Sequence, residues 1–157
     1  MKKLIFIFTI IIFAIFEVTI LDYFKIFNVK PNILLILVVG LSLSLELRWA
    51  INFAVLCGIL KDIFSINTFG INTLLFPLWS FLTIELSKKI SIDNNFIRAI
   101  IIFIIVILNN IITRLILSYL GKIIPMGIFL RITCLESLYT ALISPLIFKI
   151  AVLSQNE

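Results

Sequence analysis

Apolar residues run through this chain in long unbroken blocks, without the strict alternation of a half-buried strand or the one-sided stripe of a soluble helix. Short polar clusters punctuate the blocks. A helix needs roughly 20 apolar residues to cross a bilayer core. By that ruler the blocks predict six spans: Leu4–Leu21, Pro31–Leu45, Trp49–Phe64, Gly70–Leu86, Phe96–Leu120 and Gly127–Leu153. The second and third reach crossing length only when extended to 31–47 and 49–66, with Arg48 and Lys61 snorkelling toward headgroups. A re-entrant pair is the alternative for these two, and it returns the chain to the same side. The connections (22–30, 46–48, 65–69, 87–95 and 121–126) are too short to fold into a domain. The expectation is an all-α, polytopic bundle forming one integral membrane domain over residues 1–157.

Composition turns this pattern into a statement about solvent. Of the 157 residues, 62% are hydrophobic and 13% charged, with a mean hydropathy of +1.27. Soluble domains are about 45–50% apolar and about 25% charged, and a chain of this length cannot bury such an excess. The lipid bilayer is therefore the first partner. The net charge of +5 does not point to nucleic acid, because the cations sit at the ends of apolar runs and form no basic stripe. Six spans put Lys2, Lys3, Arg48, Lys88, Lys89, Arg98 and Lys149 on one side and Lys25, Lys30, Lys61, Lys122 and Arg131 on the other. That bias places both termini in the cytoplasm. The opening apolar run is longer than a signal-peptide core and lacks a small-x-small cleavage site, so it reads as an uncleaved first span.

Polar residues inside the spans carry the remaining information, since an ionisable side chain in hydrocarbon usually faces the bundle interior and has a partner. The fifth span holds Asn109, Asn110, Thr113 and Arg114, with Asn110, Thr113, Arg114 and Ser118 on one face; the sixth holds Glu136, Thr140 and Ser144 at successive i+4 steps. Arg114 and Glu136 lie at similar distances from the turn near Ile124–Pro125, which predicts an ion pair across an antiparallel hairpin. The alternative is that Arg114 snorkels alone to the headgroups. Glu17 and Asp62 fall in the same outer half, so four ionisable groups are expected to gather there, as helix-packing groups or as a polar cavity. With no histidine, no His/Cys metal spacing and no Gly-rich phosphate loop, the sequence offers no cofactor site. Asp62 and Asp93 fall on opposite sides of the membrane and cannot act as a catalytic acid pair, so an enzyme is not expected. Cys57 and Cys134 lie within apolar segments, where a thiol behaves as a small hydrophobe.

Three segments in order resemble the rod shape-determining MreD family. Val29-Lys30-Pro31-Asn32 opens the second apolar block like the family's P-[DN] motif, Gly58-Ile59-Leu60-Lys61-Asp62 matches G-x-x-x-D, and Gly70-Ile71-Asn72-Thr73-Leu74 resembles its LG-x-x-x-L segment. Lys61 departs from the pattern, since the family generally has an apolar residue there. The physical reading of these residues is compatible: Pro31 suits a helix start, and Gly58 permits close helix approach and shares a face with Asp62. The resemblance implies a fold similar to the substrate-binding S components of energy-coupling-factor transporters. It also implies a non-enzymatic scaffold of cell-wall elongation in the bacterial inner membrane, holding the transmembrane helix of an MreC-like protein. Further implied partners are a RodA-like glycosyltransferase, a class B penicillin-binding transpeptidase and the actin-like MreB. The competing class is a transporter substrate-binding subunit. The first span argues against it, because Ala14 is its only truly small residue, whereas such subunits carry a small-xxx-small docking pattern there.

Overall fold

The computed structural model describes residues 2–19, 23, 25, 27–65, 70–90, 92, 94–122 and 125–153. Among these residues there are six helices and no strand: α1 (Lys2–Thr19), α2 (Ile33–Ser44), α3 (Leu47–Ile63), α4 (Ile71–Lys89), α5 (Asn95–Tyr119) and α6 (Met126–Leu153). Local chemistry sets the boundaries. Asn32 caps α2, its side chain accepting from Leu35 N at 3.2 Å, and Asn94 caps α5 by accepting from Phe96 N at 3.0 Å. The expected start at Pro31 therefore moves to Ile33, with Pro31 just outside the cap. The fourth helix runs beyond Leu86 to Lys89, where Lys88 and Lys89 suit the negative end of the helix dipole.

Of these helices, α5 over Asn95–Tyr119 and α6 over Met126–Lys149 are long and apolar enough to cross a membrane. By contrast α2 has 12 residues. It rises about 18 Å against a hydrocarbon core of about 30 Å, so the expected 31–47 span contains a helix that cannot cross unaided.

What α2 does is fill the centre. It packs against all five other helices, and every residue from Ile33 to Ser42 is buried. The α3–α4 and α5–α6 pairs form the two main hairpins around it. Gly40 lets α6 come close, since a Cβ there would lie 2.9 Å from the Phe148 ring.

Outside this core the surface is hydrocarbon. Ile100, Ile104, Leu108, Ile111 and Leu115 form an exposed stripe along α5, and Leu138, Leu142 and Leu146 do the same on α6. Phe8, Ile11, Ile12 and Ile15 are exposed on α1. Water-soluble monomers rarely show contiguous apolar patches above a few hundred Å². Lipid is the solvent such a surface fits.

Candidate functional site

Because α2 is short, its N-terminus ends inside the bundle. Four backbone N–H groups at a helix start lack intrahelical partners, and in an apolar interior each would be costly. The chain meets that demand with side chains from other helices. The Glu17 carboxylate on α1 accepts from Leu34 N at 2.9 Å, Thr140 Oγ1 on α6 accepts from Asn32 N at 3.0 Å, and Asn32 supplies its own cap. A carboxylate at this end also matches the positive pole of the α2 dipole.

Glu17 is 2% exposed, so its charge needs a counter-ion, and Lys61 on α3 provides one. Its Nζ is ion-paired to Glu17 Oε1 and donates to Asn32 Oδ1 at 3.2 Å. Lys61 thus turns inward, and the expectation that it snorkels to headgroups is corrected: the buried carboxylate holds it. Glu136 on α6 accepts from Asn110 Nδ2 at 2.9 Å and lies beside the Asn32 side chain. Asn32 is the hub. Through it, Glu17, Lys61 and Thr140 tie α1, α3 and α6 to the start of α2, and Glu136 beside it carries the bond from Asn110 on α5.

A second junction joins α3 to α4. Asp62 accepts from Asn72 N and Nδ2 at 3.2 and 2.8 Å with one oxygen, and from Thr73 N and Oγ1 at 2.8 and 2.7 Å with the other. It acts as the cap that Gly70, at the N-cap position, cannot supply from its own side chain. Gly70 itself takes φ +86°, a left-handed conformation that glycine adopts freely. Gly58, one turn before Asp62, makes room for the contact. A Cβ there would meet Asn72 O and Thr73 Cα at 2.6 Å.

The predicted gathering of four ionisable groups is thereby corrected. Glu17 and Glu136 meet through Asn32 and Lys61, while Asp62 turns to the start of α4. Arg114 does not pair with Glu136; its guanidinium lies 4.4 Å from the Phe129 ring centre and Nη1 donates to Met126 Sδ at 2.6 Å. The hairpin register alone does not decide a partner for a side chain as long as arginine. Of the expected inward face of α5, Asn110, Thr113 and Arg114 are half-buried and Ser118 is exposed. The buried bonds Trp79 Nε1 to Asn109 Oδ1 (3.0 Å) and Ser42 Oγ to Ser80 Oγ (2.7 Å) join α4 to α5 and α2 to α4. Sequence reasoning did not single out Trp79; it met Asn109 only as a polar residue of the fifth span, and Asn72 and Thr73 only inside the Gly70 motif. The Asn72-Thr73 pair, beginning two positions after Gly70, was the available signal for the partners of Asp62.

A small cavity of about 110 Å³ adjoins the first junction, lined by Glu17, Lys30, Lys61 and Ser65 among others. Both Glu17 oxygens and both Asp62 oxygens are engaged in bonds that hold helices. Among the described residues no group of three or more His, Cys, Asp and Glu could hold a metal. At these two junctions the internal polar groups are spent on fixing helix positions. No curated protein and no solved structure matches the chain. The family model described as rod shape-determining protein MreD matches residues 1–153. Glu17, Asn32, Gly58, Lys61, Asp62, Asn110 and Glu136 all lie within that match, and the chain belongs to the MreD family, with the role in determining rod shape that membership carries.

Proposed function

We propose that this chain is a non-enzymatic membrane scaffold of the cell-wall elongation machinery. In this reading it crosses the bacterial cytoplasmic membrane six times with both termini inside, in a fold resembling the S components of energy-coupling-factor transporters. It grips the single transmembrane helix of an MreC-like protein, and through that partner meets a RodA-like glycosyltransferase, a class B penicillin-binding transpeptidase and MreB. The Asn32 hub and the Asp62 latch, the latter with Gly58 and Gly70 and the former with Pro31 before it, keep the gripping surface rigid.

The observation that supports this reading is a membrane-facing groove between α4 and α5. These helices touch only sparsely, and between them lies a space of about 240 Å³ walled by Trp79, Leu82, Leu86, Ile101, Ile104 and Leu108. Transmembrane helices associate through close van der Waals packing, and such a groove suits the side chains of one more apolar helix. Purification of the intact chain from its native membrane in mild detergent, followed by mass spectrometry, is the test. An MreC-like single-span protein is expected to co-purify and to crosslink to L82C and I104C in a C134S background. Failure to recover any cell-wall partner, or equal crosslinking from F8C on α1, overturns the reading.

A transporter subunit would need room for its substrate. Small-molecule sites occupy about 300–1,000 Å³, whereas the polar cavity beside Glu17 and Lys61 measures about 110 Å³. That comparison favours the scaffold.

A further inference from the structure

The outer end of the α5–α6 hairpin carries a feature that holding the bundle together does not use. From residue 94 to residue 135 the sequence contains no acidic residue, while Arg114, Lys122 and Arg131 all lie toward the α5–α6 turn. Arg114 leaves α5 five residues before Tyr119, about 7.5 Å along the axis. Its guanidinium reaches back toward the turn, to Met126 and Phe129 in the first turn of α6. The 25 residues of α5 extend about 37 Å, close to the roughly 40–45 Å of a bilayer with its headgroups. With α5 standing across the bilayer, the guanidinium of Arg114 would come to the level of lipid phosphates.

Beneath it a cleft of about 120 Å³ lies between the two helices, lined by Asn110, Thr113, Leu117, Phe129, Ile132 and Thr133 along with Arg114 itself. The hydroxyl oxygens of Thr113 and Thr133 are buried and have no hydrogen-bond partner, and Thr133 is 6% exposed. Buried hydroxyls are normally satisfied. Two orphans lining one cleft, beside a cation, point to an acceptor that comes from outside the chain.

We infer that this cleft binds the phosphate of an anionic phospholipid in the leaflet at the α5–α6 turn. Arg114 is the main ligand, and Thr113 and Thr133 donate once the cleft opens to their hydroxyls. The acyl chain lies along Leu117 and Ile132. A lipid suits the site better than a free phosphate because the walls are apolar and the level is that of the headgroups.

The test is lipid titration of the full-length protein in detergent, read by native mass spectrometry, with phosphatidylglycerol against phosphatidylcholine. Phosphatidylglycerol is expected to bind roughly tenfold tighter or better, as a charge-assisted contact implies. R114Q should remove that preference, whereas R131Q, which alters a cation exposed at the same end, should keep it. T133V keeps the side-chain volume and tests the site even if R114Q does not fold. It should weaken phosphatidylglycerol binding while leaving the lipid-free protein at least as stable, because it deletes an orphan hydroxyl. Equal losses in R114Q and R131Q would reveal diffuse surface attraction and overturn the site. So would a lipid-free T133V protein that is destabilised, or glycerol phosphate in solution binding as tightly as the lipid.

Discussion

Replacing Gly58 with alanine strikes the α3–α4 latch without touching any polar group. The added Cβ would lie 2.6 Å from Asn72 O and Thr73 Cα and 2.9 Å from Asn72 C. All three atoms are backbone, so no side chain can swing away. To reach the 3.4 Å of ordinary contact the start of α4 must retreat by about 0.8 Å, the difference between 3.4 and 2.6 Å. A retreat of that size along the Asp62 bonds stretches the 2.7 and 2.8 Å contacts to Thr73 and Asn72 Nδ2 beyond hydrogen-bonding range. Overpacking costs about 1–3 kcal/mol, and a weakened bond to a charged group adds about 1.5–3. The helix propensity of alanine over glycine returns about 1 kcal/mol. G58A should therefore lose about 2–4 kcal/mol, the larger part of these terms being packing and hydrogen bonding.

Reversible unfolding in mixed detergent–SDS micelles, followed by tryptophan fluorescence, measures this loss. The companion variant D62A removes the acceptor that the retreat would strain. If both act on one contact, the double variant should cost less than the two singles added, with a coupling of roughly 1–2 kcal/mol. A G58A protein within about 0.5 kcal/mol of the parent, or strict additivity with D62A, would refute the latch as described.

The buried pair makes a sharper claim about charge. K61M strips buried Glu17 of its counter-ion and should cost about 3–5 kcal/mol, whereas E17Q/K61M should recover most of that in the same unfolding assay. The exchange E17K/K61E should fare worse than the neutral double, because it sets an ammonium against Leu34 N–H at the positive end of α2. Exchanging Arg114 and Glu136 by R114E/E136R should not rescue the single reversals, since the two side chains keep different company; recovery to parental stability would count against the geometry. N109L removes the acceptor of Trp79 Nε1 and should cost about 1–3 kcal/mol, with a shift in indole emission in a W49F background; an unchanged spectrum would deny the bond.

Helix number and turn positions could be read directly, because a polar cluster in a chain this apolar has few other places to be. The α2–α3 turn at Leu45–Glu46 and the cap at Asn94 fall where the apolar blocks break. The motif residues were legible too: Gly58 and Asp62 share a helix face by spacing alone. Their common target was not, since it lies on α4, and only the three-dimensional turn brings Asn72 and Thr73 under Asp62. The Arg114–Glu136 expectation failed for a physical reason. Matching two helices by distance from their turn fixes the height of the Cα atoms, but arginine carries its charge several ångströms away, here to the rings and sulfur at the start of α6.

Lys61 shows most clearly what a linear reading lacks. Treated as the end of a membrane span, a lysine belongs at the headgroups, and beside a motif aspartate it looks like a departure from its family. Both descriptions assume that the neighbouring helices run the full thickness of the membrane. Once α2 stops short, its N-terminus becomes a positive pole in the interior, and a carboxylate from α1 is drawn to it. That carboxylate then needs a cation, because an unpaired charge at such depth costs several kcal/mol. The face of α3 that looks toward Glu17 is where the cation must come from. Lys61 and Glu17 are thus two consequences of one short helix: the N–H groups at the start of α2 call for the carboxylate, and the carboxylate calls for the cation.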